Sequence, residues 1–188
     1  MKNLKLTSLL FITTLFLTSC SSDDDNIEPI LEEEVITTLQ VTLVGGGSTI
    51  TMEYKDLDPE GPTDPVVTVS GPLMAGTVYT GSLTLLNELV NPAENITEEI
   101  LEEAEEHQFF YQVSNTLNIT NITYEDSDSN GNPLGLSFSF ETGAASAGDF
   151  TIILRHEPNK EAEGVSNGDI TNADGETDIS AGFPLTIQ

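Results

Sequence analysis

Two histidines, the only two in this 188-residue chain, are the side chains best suited to chemistry. His107 follows a run of glutamates in "EEILEEAEEHQFFY", four residues after Glu103, and His156 precedes Glu157 in "FTIILRHE". Imidazole and carboxylate together suit zinc or copper, and a Glu-x-x-x-His pair presents both ligands on one helix face. These four residues therefore form a candidate transition-metal site. The alternative is structural: one histidine at a packing interface and the other paired with a carboxylate at a strand end.

A second group of candidate ligands consists of side-chain oxygens in short acidic loops. The stretch "DSDSNGN" places them at alternate positions, next to a glycine that permits a sharp turn: Asp126, Asp128, Asn130 and Asn132. Calcium loops are built in this way, and the stretch resembles the first half of an EF-hand or dockerin-like loop. An EF-hand has a bidentate glutamate at its twelfth position, where this chain has Ser137, so an intact EF-hand is excluded.

Two further acidic stretches have a similar composition. "DLDPEG" places carboxylates at Asp56, Asp58 and Glu60, although its twelfth position is Val67, and "NADGETD" is a poorer match. We therefore predict that one or more acidic loops bind calcium with the weak affinity of extracellular modules. In a chain this acidic, such loops also arise as solvated turns.

The motifs of common enzyme classes are missing from the sequence. There is no Gly-x-Ser-x-Gly elbow, no His-Glu-x-x-His pair and no phosphate-cradling glycine loop. The paired glutamates lie along a predicted helix surface rather than in a cleft, and there is no tryptophan to form the floor of a sugar site. We therefore expect that the protein is not an enzyme.

The single cysteine lies at the end of a leader. Residues 1–19 contain two lysines followed by a short apolar run, which is typical of a secretion signal. The Leu17-Thr18-Ser19-Cys20 tetrapeptide resembles the lipobox of bacterial lipoproteins, in which the cysteine receives the lipid and the signal is cut before it. Several acyl chains anchor a protein stably. A disulfide would need another chain, and a catalytic cysteine would lie within a fold.

The residues after Cys20 are acidic and polar. Residues 20–34, "CSSDDDNIEPILEEE", are typical of a tether. The run directly after the cysteine also resembles the surface-export tag of Bacteroidota lipoproteins, which would place the protein on the outer face of the outer membrane. A solvated tether alone would explain the same composition.

The charge of the chain limits its partners. The formal net charge is −27, and all 32 acidic residues follow residue 19, together with only three basic ones: Lys55, Arg155 and Lys160. Such a body repels nucleic acid and anionic lipid and attracts divalent cations or basic ligands. Since no second cysteine exists, stability must come from the core or from ions.

The remaining residues, 35–188, have the pattern of one all-β domain. "TLQVTL" and "TITMEY" alternate apolar and polar residues and are joined by the glycine-rich "VGGGS". Turn residues separate the further strand candidates, at 66–70, 77–87, 117–125, 135–142, 149–156 and 182–187. About eight short strands without crossover helices predict an immunoglobulin-like antiparallel β-sandwich.

One segment departs from this alternation. Residues 94–111 place Ile96, Ile100, Ala104 and Tyr111 on one stripe at helical spacing, with glutamates opposite. This pattern predicts one amphipathic helix packed on the sandwich, with His107 facing inward. His156 shares the phase of the inward residues of its strand, so we expect it to face inward too.

Several motifs, including "EEEVITTLQVTL", "EEILEEAEEHQFFY", "LRHEPNK" and "GDITNADGETDI", resemble a group of small Bacteroidota lipoproteins. Proteins of this group are often labelled type 1 periplasmic-binding-fold proteins, although that fold requires two α/β lobes and a longer chain. The resemblance covers most of residues 20–188. It implies that the protein is associated with a TonB-dependent outer-membrane receptor.

Together, these features predict a lipid-anchored, non-enzymatic binding accessory that captures a metal or small nutrient for such a receptor. The alternative is a structural or adhesive surface module whose acidic loops are stabilised by calcium.

Overall fold

The fold is described from a computed structural model, which covers residues 34–59 and 61–188. These residues form nine strands, one α-helix and two short 3-10 helices. The strands are β1 (Thr38–Gly45), β2 (Ser48–Lys55), β3 (Val66–Val69), β4 (Val78–Leu86), β5 (His107–Val113), β6 (Ile119–Tyr124), β7 (Ser137–Thr142), β8 (Ser146–His156) and β9 (Glu176–Ile187). The helix, α1, is Ile96–Glu102, and the 3-10 helices are Val165–Asn167 and Ile170–Asn172.

The strands form two antiparallel sheets. The larger has the order β3-β2-β1-β4-β7-β6, and the smaller has the order β5-β8-β9. The predicted sandwich, mainly β with one helix, is therefore confirmed. Each of the eight predicted strand segments overlaps an observed strand, because these segments combine strand-forming residues with flanking turn residues.

The two sheets enclose an aromatic core. The ring of Tyr111 on β5 lies 4.3 Å from that of Phe138 on β7, and Phe138 lies 6.2 Å from Phe150 on β8. Gly81 on β4 faces the Phe138 ring so closely that a Cβ there would collide with it. These contacts join the faces of the two sheets and fix the small sheet that carries both histidines.

The helix is shorter than the sequence pattern predicts. Residues 94–111 were expected to be helical, but α1 ends at Glu102, and His107 begins strand β5. Glutamates repeat at i and i+4 through this stretch, and no basic residue lies in the last turn, so like charges oppose continuation of the helix. The aromatic "HQFFYQV" sequence then favours a strand.

The boundary of the domain also differs from the predicted one. Glu34 was assigned to the tether, but its side chain is only 5 % exposed and contacts both histidines. The leader, Cys20 and the rest of the tether lie outside the described residues. No helix in the described part of the chain is long and apolar enough to cross a membrane.

Candidate metal centre

Four side chains from distant parts of the sequence converge at one end of the small sheet. They are Glu34, His107, His156 and Asp178, and one ligand atom from each lies within 4.8 Å of the others. His107 Nε2 lies 2.8 Å from Glu34 Oε1 and 3.9 Å from Asp178 Oδ2. His156 Nδ1 lies 3.7 Å from Glu34 Oε2 and 3.9 Å from Asp178 Oδ1. We call this group the four-ligand centre.

The pairing of β5 with β8 brings the histidines together. His107 and His156 are directly opposite each other in the antiparallel register, at the first residue of one strand and the last of the other. Directly paired residues project to the same face of a sheet. Their rings stack with centroids 4.7 Å apart and planes at 21°, and both residues are buried.

Asp178 enters the centre through an irregularity in strand β9. Leu154 pairs with Ile179, but the next residue of β8, Arg155, pairs with Thr177. Asp178 is therefore the extra residue of a β-bulge, a feature that re-aims a side chain. Its side chain is fully buried, and the next residue, Ile179, is buried too, whereas strict alternation would have directed one of the two outward.

Glu34 comes from the segment that precedes the other sheet. The segment is held by Thr37, whose backbone N–H donates to the Leu86 carbonyl and whose own carbonyl accepts from the Asp56 N–H. Ile36 is buried in the core, so the chain is fixed on the sandwich before β1 begins. The centre therefore connects the start of the large sheet to the end of the small one.

Outer contacts determine which ring nitrogens face the centre. His107 Nδ1 lies 3.1 Å from the carbonyl oxygen of Glu103, which can only accept a hydrogen bond, so the proton belongs on Nδ1. In the neutral ring, Nε2 is then the nitrogen that faces the centre and can bind a metal, and such outer partners are typical of ligating histidines. On the other ring, Nε2 of His156 faces Glu106 Oε2 at 3.9 Å, and Nδ1 faces the centre.

The electrostatics of the centre favour a cation. Burial raises the pKa of Glu34, but the adjoining His107 lowers it by more, so the net pKa is below its ordinary value. Burial lowers the pKa of His107, but the Glu34 carboxylate outweighs this and raises the pKa above its ordinary value. The carboxylates of Glu34 and Asp178 lie beside the two imidazoles, and this combination of groups suits a divalent transition-metal ion.

The spacing of the ligand atoms also fits a metal ion. In a tetrahedral zinc site with bonds of about 2.1 Å, neighbouring ligand atoms lie about 3.4 Å apart. The observed imidazole–carboxylate separations of 2.8, 3.7, 3.9 and 3.9 Å surround this value. Three of them are too long for hydrogen bonds. These four residues could therefore hold a metal ion.

The predicted transition-metal ligands are only partly brought together. His107 and His156 meet, but Glu103 contributes its backbone carbonyl to His107 rather than its carboxylate to the centre. Glu157 belongs to a separate, outward-facing group with Glu106 and His156. The predicted geometry placed Glu103 and His107 on consecutive turns of one helix, but His107 lies on a strand and Glu103 caps α1.

Sequence reasoning missed the two carboxylates that complete the centre. Glu34 belongs to "EEE" at the end of an acidic run, where nothing distinguishes it from its neighbours. Asp178 was grouped with the weakest of the calcium candidates, and the bulge that turns it inward breaks the alternation on which strand prediction depends. In the sequence, apolar residues and then the predicted strand at Thr38 follow "EEE" closely. This closeness was the available signal that a glutamate there could reach the core.

The carboxylates of the 126–132 loop already accept hydrogen bonds from groups of the protein itself. Asp126 accepts the backbone N–H groups of Gly135 and Ser137, at 2.6 and 2.8 Å. Asp128 accepts those of Asn130 and Asn132, both at 2.9 Å. The ammonium group of Lys160 lies 2.9 Å from the other oxygen of Asp128, where a calcium ion would have to bind.

Side chains elsewhere in the acidic loops are engaged in the same way. The Asn132 amide donates to Glu161 at 3.0 Å, and the Asn130 side chain is exposed. Asp56 accepts the backbone N–H of Asp58 at 3.0 Å, in a local turn, and Glu60 lies outside the described residues. Within the described residues, neither loop brings three histidine, cysteine or carboxylate ligands to one point.

No protein-family model, curated protein or solved structure matches the chain. What the four-ligand centre does must therefore be inferred from its own geometry and from the sequence around it.

Proposed function

We propose that the protein is a non-enzymatic metal-binding accessory of the bacterial cell envelope and that the four-ligand centre binds one zinc ion. The observation that carries the proposal is the convergence of two imidazoles and two carboxylates, in which every side chain is at most 8 % exposed. A buried group of this composition is expensive to maintain unless a cation neutralises it.

The ligand types favour zinc over calcium. Calcium takes six to eight oxygen ligands, whereas imidazole nitrogen suits zinc, copper and related transition metals. Four protein ligands are also the usual number in a closed, tetrahedral zinc site. The charge of the two carboxylates matches that of a divalent ion.

The closure of the centre supports a binding role rather than catalysis. Catalytic zinc sites use three protein ligands and keep a fourth position open for water or substrate, whereas sites with four protein ligands are closed. With four protein ligands, among them the fully buried Asp178 and His107, a tetrahedral ion would have no position left for a substrate.

The envelope location is supported by the sequence. The leader, the lipobox-like tetrapeptide ending at Cys20 and the acidic run after it all favour a lipid-anchored protein on the outer membrane, facing the cell surface. The resemblance to lipoproteins that accompany TonB-dependent receptors favours capture of metal for such a receptor. The net charge of −27 would draw cations toward the domain.

The zinc proposal is tested by titrating the full chain, freed of metal with a chelator, with zinc in a calorimeter. We expect one tight site. Glu34→Gln, Asp178→Asn and His107→Ala should each weaken it by more than about 100-fold, because loss of an outer-shell partner alone costs about 10- to 100-fold.

The matched control is Glu141→Gln, which removes an exposed carboxylate on the far strand β7. It should leave the affinity unchanged. Zinc binding that survives all three centre variants would contradict the proposal, as would the absence of tight binding by the wild-type chain.

The anchor is tested separately with Cys20→Ala. We expect the wild-type protein to partition into detergent and to carry the added mass of acyl chains, and the variant to remain in the aqueous phase. An unmodified cysteine in the protein isolated from envelopes would contradict the lipid anchor and leave the zinc proposal untouched.

The calcium alternative has weaker support. The ammonium of Lys160 stands where the best candidate loop would bind calcium, and the carboxylates of Asp126 and Asp128 are already used by backbone donors. Calcium in the same calorimeter should therefore give no tight site.

A further inference from the structure

A buried metal centre needs a route by which metal reaches it. The side chains of His107 and Asp178 are fully buried, and that of His156 is 8 % exposed. His156 is the one of the two histidines with carboxylates on two sides: its Nδ1 faces Glu34 and Asp178 of the four-ligand centre, and its Nε2 faces outward toward Glu106.

The outward side of His156 carries a second set of metal-binding groups. Glu106 and Glu157 each place a carboxylate oxygen within 4.8 Å of a ring nitrogen of His156 and of one another. The distance from His156 Nε2 to Glu106 Oε2 is 3.9 Å, which is too long for a hydrogen bond but suitable for two ligands of one ion. The Glu157 backbone N–H donates to the Glu106 carbonyl at 2.6 Å, so the two glutamates are held as neighbours.

An acidic cavity opens beside this outer set. It has a volume of about 340 Å³ and is lined by Glu102, Glu103, Glu105, Glu106 and Asp128, among others. A cleft lined by one sign of charge concentrates counter-ions and can raise association rates by about 10- to 1,000-fold. Glu106 belongs both to this cavity and to the outer set, and its side chain is 57 % exposed.

A second cavity, of about 590 Å³, adjoins Glu34 and Asp178 on another side of the centre. Its walls include the half-exposed apolar side chains of Val35, Leu57 and Leu89. Apart from the inner ligands Glu34 and Asp178, the charged residue on these walls is Asp58, whereas five carboxylates line the acidic cavity. The acidic cavity is therefore the better route for a hydrated cation.

We propose that Glu106, Glu157 and the outer nitrogen of His156 form an exposed acquisition site, at which a divalent cation is captured before it passes to the four-ligand centre. This inference rests on the proposed function, because the inner centre is the destination of the ion. The site serves as the point of first contact with the metal, and the His156 ring is shared by both positions.

The transfer is a ligand exchange without redox change. At the acquisition site, the ion binds Nε2 of His156, and the ring proton resides on Nδ1. When the ion moves inward, its bonds to Glu106, Glu157 and Nε2 break, and new bonds form to Nδ1 and the inner ligands. Nδ1 would release its proton to solvent as Nε2 takes up one from solvent, so the ring stays neutral and no net proton is gained or lost.

The proposal is tested by the rate at which zinc loads the full chain, measured by stopped-flow competition with a chromophoric chelator. The Glu106→Gln/Glu157→Gln variant should load about 10-fold more slowly than the wild type, with the final affinity of the inner centre retained. The matched control, Glu98→Gln/Glu141→Gln, removes two exposed carboxylates elsewhere and should load at nearly the wild-type rate. Equal rates in the two double variants would overturn the acquisition site.

An equilibrium measurement separates this proposal from the zinc proposal. His107→Ala removes the inner centre but leaves the outer set intact, so it should retain one weak zinc site, which adding Glu106→Gln/Glu157→Gln should abolish. A weak site that survives those changes, or no weak site in His107→Ala, would overturn the acquisition site. A wild-type chain that shows only the weak site would contradict the inner centre and support the outer one.

Discussion

The four-ligand centre and the pair formed by Asp128 and Lys160 both contain buried carboxylates, but the groups that lie beside these carboxylates differ. Asp128 faces the fixed positive charge of Lys160, at 2.9 Å, with side chains that are 1 % and 4 % exposed. Glu34 and Asp178 instead face two imidazoles. An ammonium group has no lone pair to offer, whereas a neutral imidazole has one.

This difference separates a structural site from a binding site. Burial raises the pKa of Asp128, but the Lys160 ammonium and the backbone donors lower it by more, so the net pKa falls below its ordinary value and the site is complete without an ion. Lys160 also donates to the Ala104 carbonyl at 2.6 Å, which ties the loop to the segment between α1 and β5. The four-ligand centre instead offers imidazole nitrogens and carboxylate oxygens, which are groups that an external divalent cation can bind.

The largest expected effect is stabilisation of the four-ligand centre by zinc. A ligand present at 1,000 times its dissociation constant stabilises the folded state by about 4 kcal/mol. We expect zinc to raise the free energy of unfolding by this amount in the wild-type chain and in Asp128→Asn, but not in His107→Ala. Urea unfolding with and without zinc measures it, and equal gains in the two variants would show that the ion binds elsewhere.

The Asp128–Lys160 pair should give the next largest effect, in the opposite sense. Asp128→Asn leaves the buried Lys160 ammonium without its counter-ion and should destabilise the fold by about 3 kcal/mol, with or without zinc. Lys160→Met in the same chain should recover part of the loss, because no unpaired charge then remains. Urea unfolding of the two single variants and the double variant measures the coupling, and additive losses would argue against a buried ion pair.

Gly175, which lies against the backbone of His156 and Glu157, provides a test of how the four-ligand centre is positioned. Gly175 has a φ of +71°, and a Cβ there would collide with the His156 carbonyl oxygen and lie 2.9 Å from that of Glu157. Gly175→Ala should therefore cost about 2 kcal/mol of stability from backbone strain and weaken zinc binding by displacing the turn that precedes β9. Gly47→Ala, at φ +75° with open space around it, is the matched control for strain without displacement. An unchanged zinc affinity in Gly175→Ala would show that the turn does not position the centre.

The sequence was sufficient to predict most of the fold but only half of the centre. Strands β1 and β2 were predicted because their alternation and glycine turn are local signals. Alternation along β8 also predicted, correctly, that His156 faces inward. Strand β5 was missed because glutamates at helical spacing extended the apparent helix across His107, although the repulsion between those glutamates ends it.

The remaining half of the centre depends on nonlocal geometry. The pairing of His107 with His156 is a matter of register between strands that are more than thirty residues apart. The inward turn of Asp178 comes from a bulge, and the segment that carries Glu34 is held by the backbone hydrogen bonds of Thr37 and by burial of Ile36 in the core. None of these three arrangements produces a periodic pattern in the sequence.

The smallest expected effect distinguishes the two sites by the pH dependence of stability in the metal-free protein. Burial lowers the pKa of His107, but Glu34, together with Glu103 and Asp178, raises it by more, so the net pKa lies above its ordinary value of 6.5. The contribution of His107 to stability is therefore complete below that pH and is lost as the pH rises through the folded-state pKa. The pKa of Asp128 is lowered below 3.8 by Lys160, against the effect of burial, so its contribution is present above that pH and is lost as the pH falls through the folded-state value. Between pH 5.5 and 8.5, metal-free wild-type protein and Asp128→Asn should both lose stability, and His107→Gln should lose less. If the loss of stability disappears in Asp128→Asn but persists in His107→Gln, the group that titrates in this range belongs to the Asp128–Lys160 pair. That result would contradict the electrostatic difference inferred between the pair and the four-ligand centre.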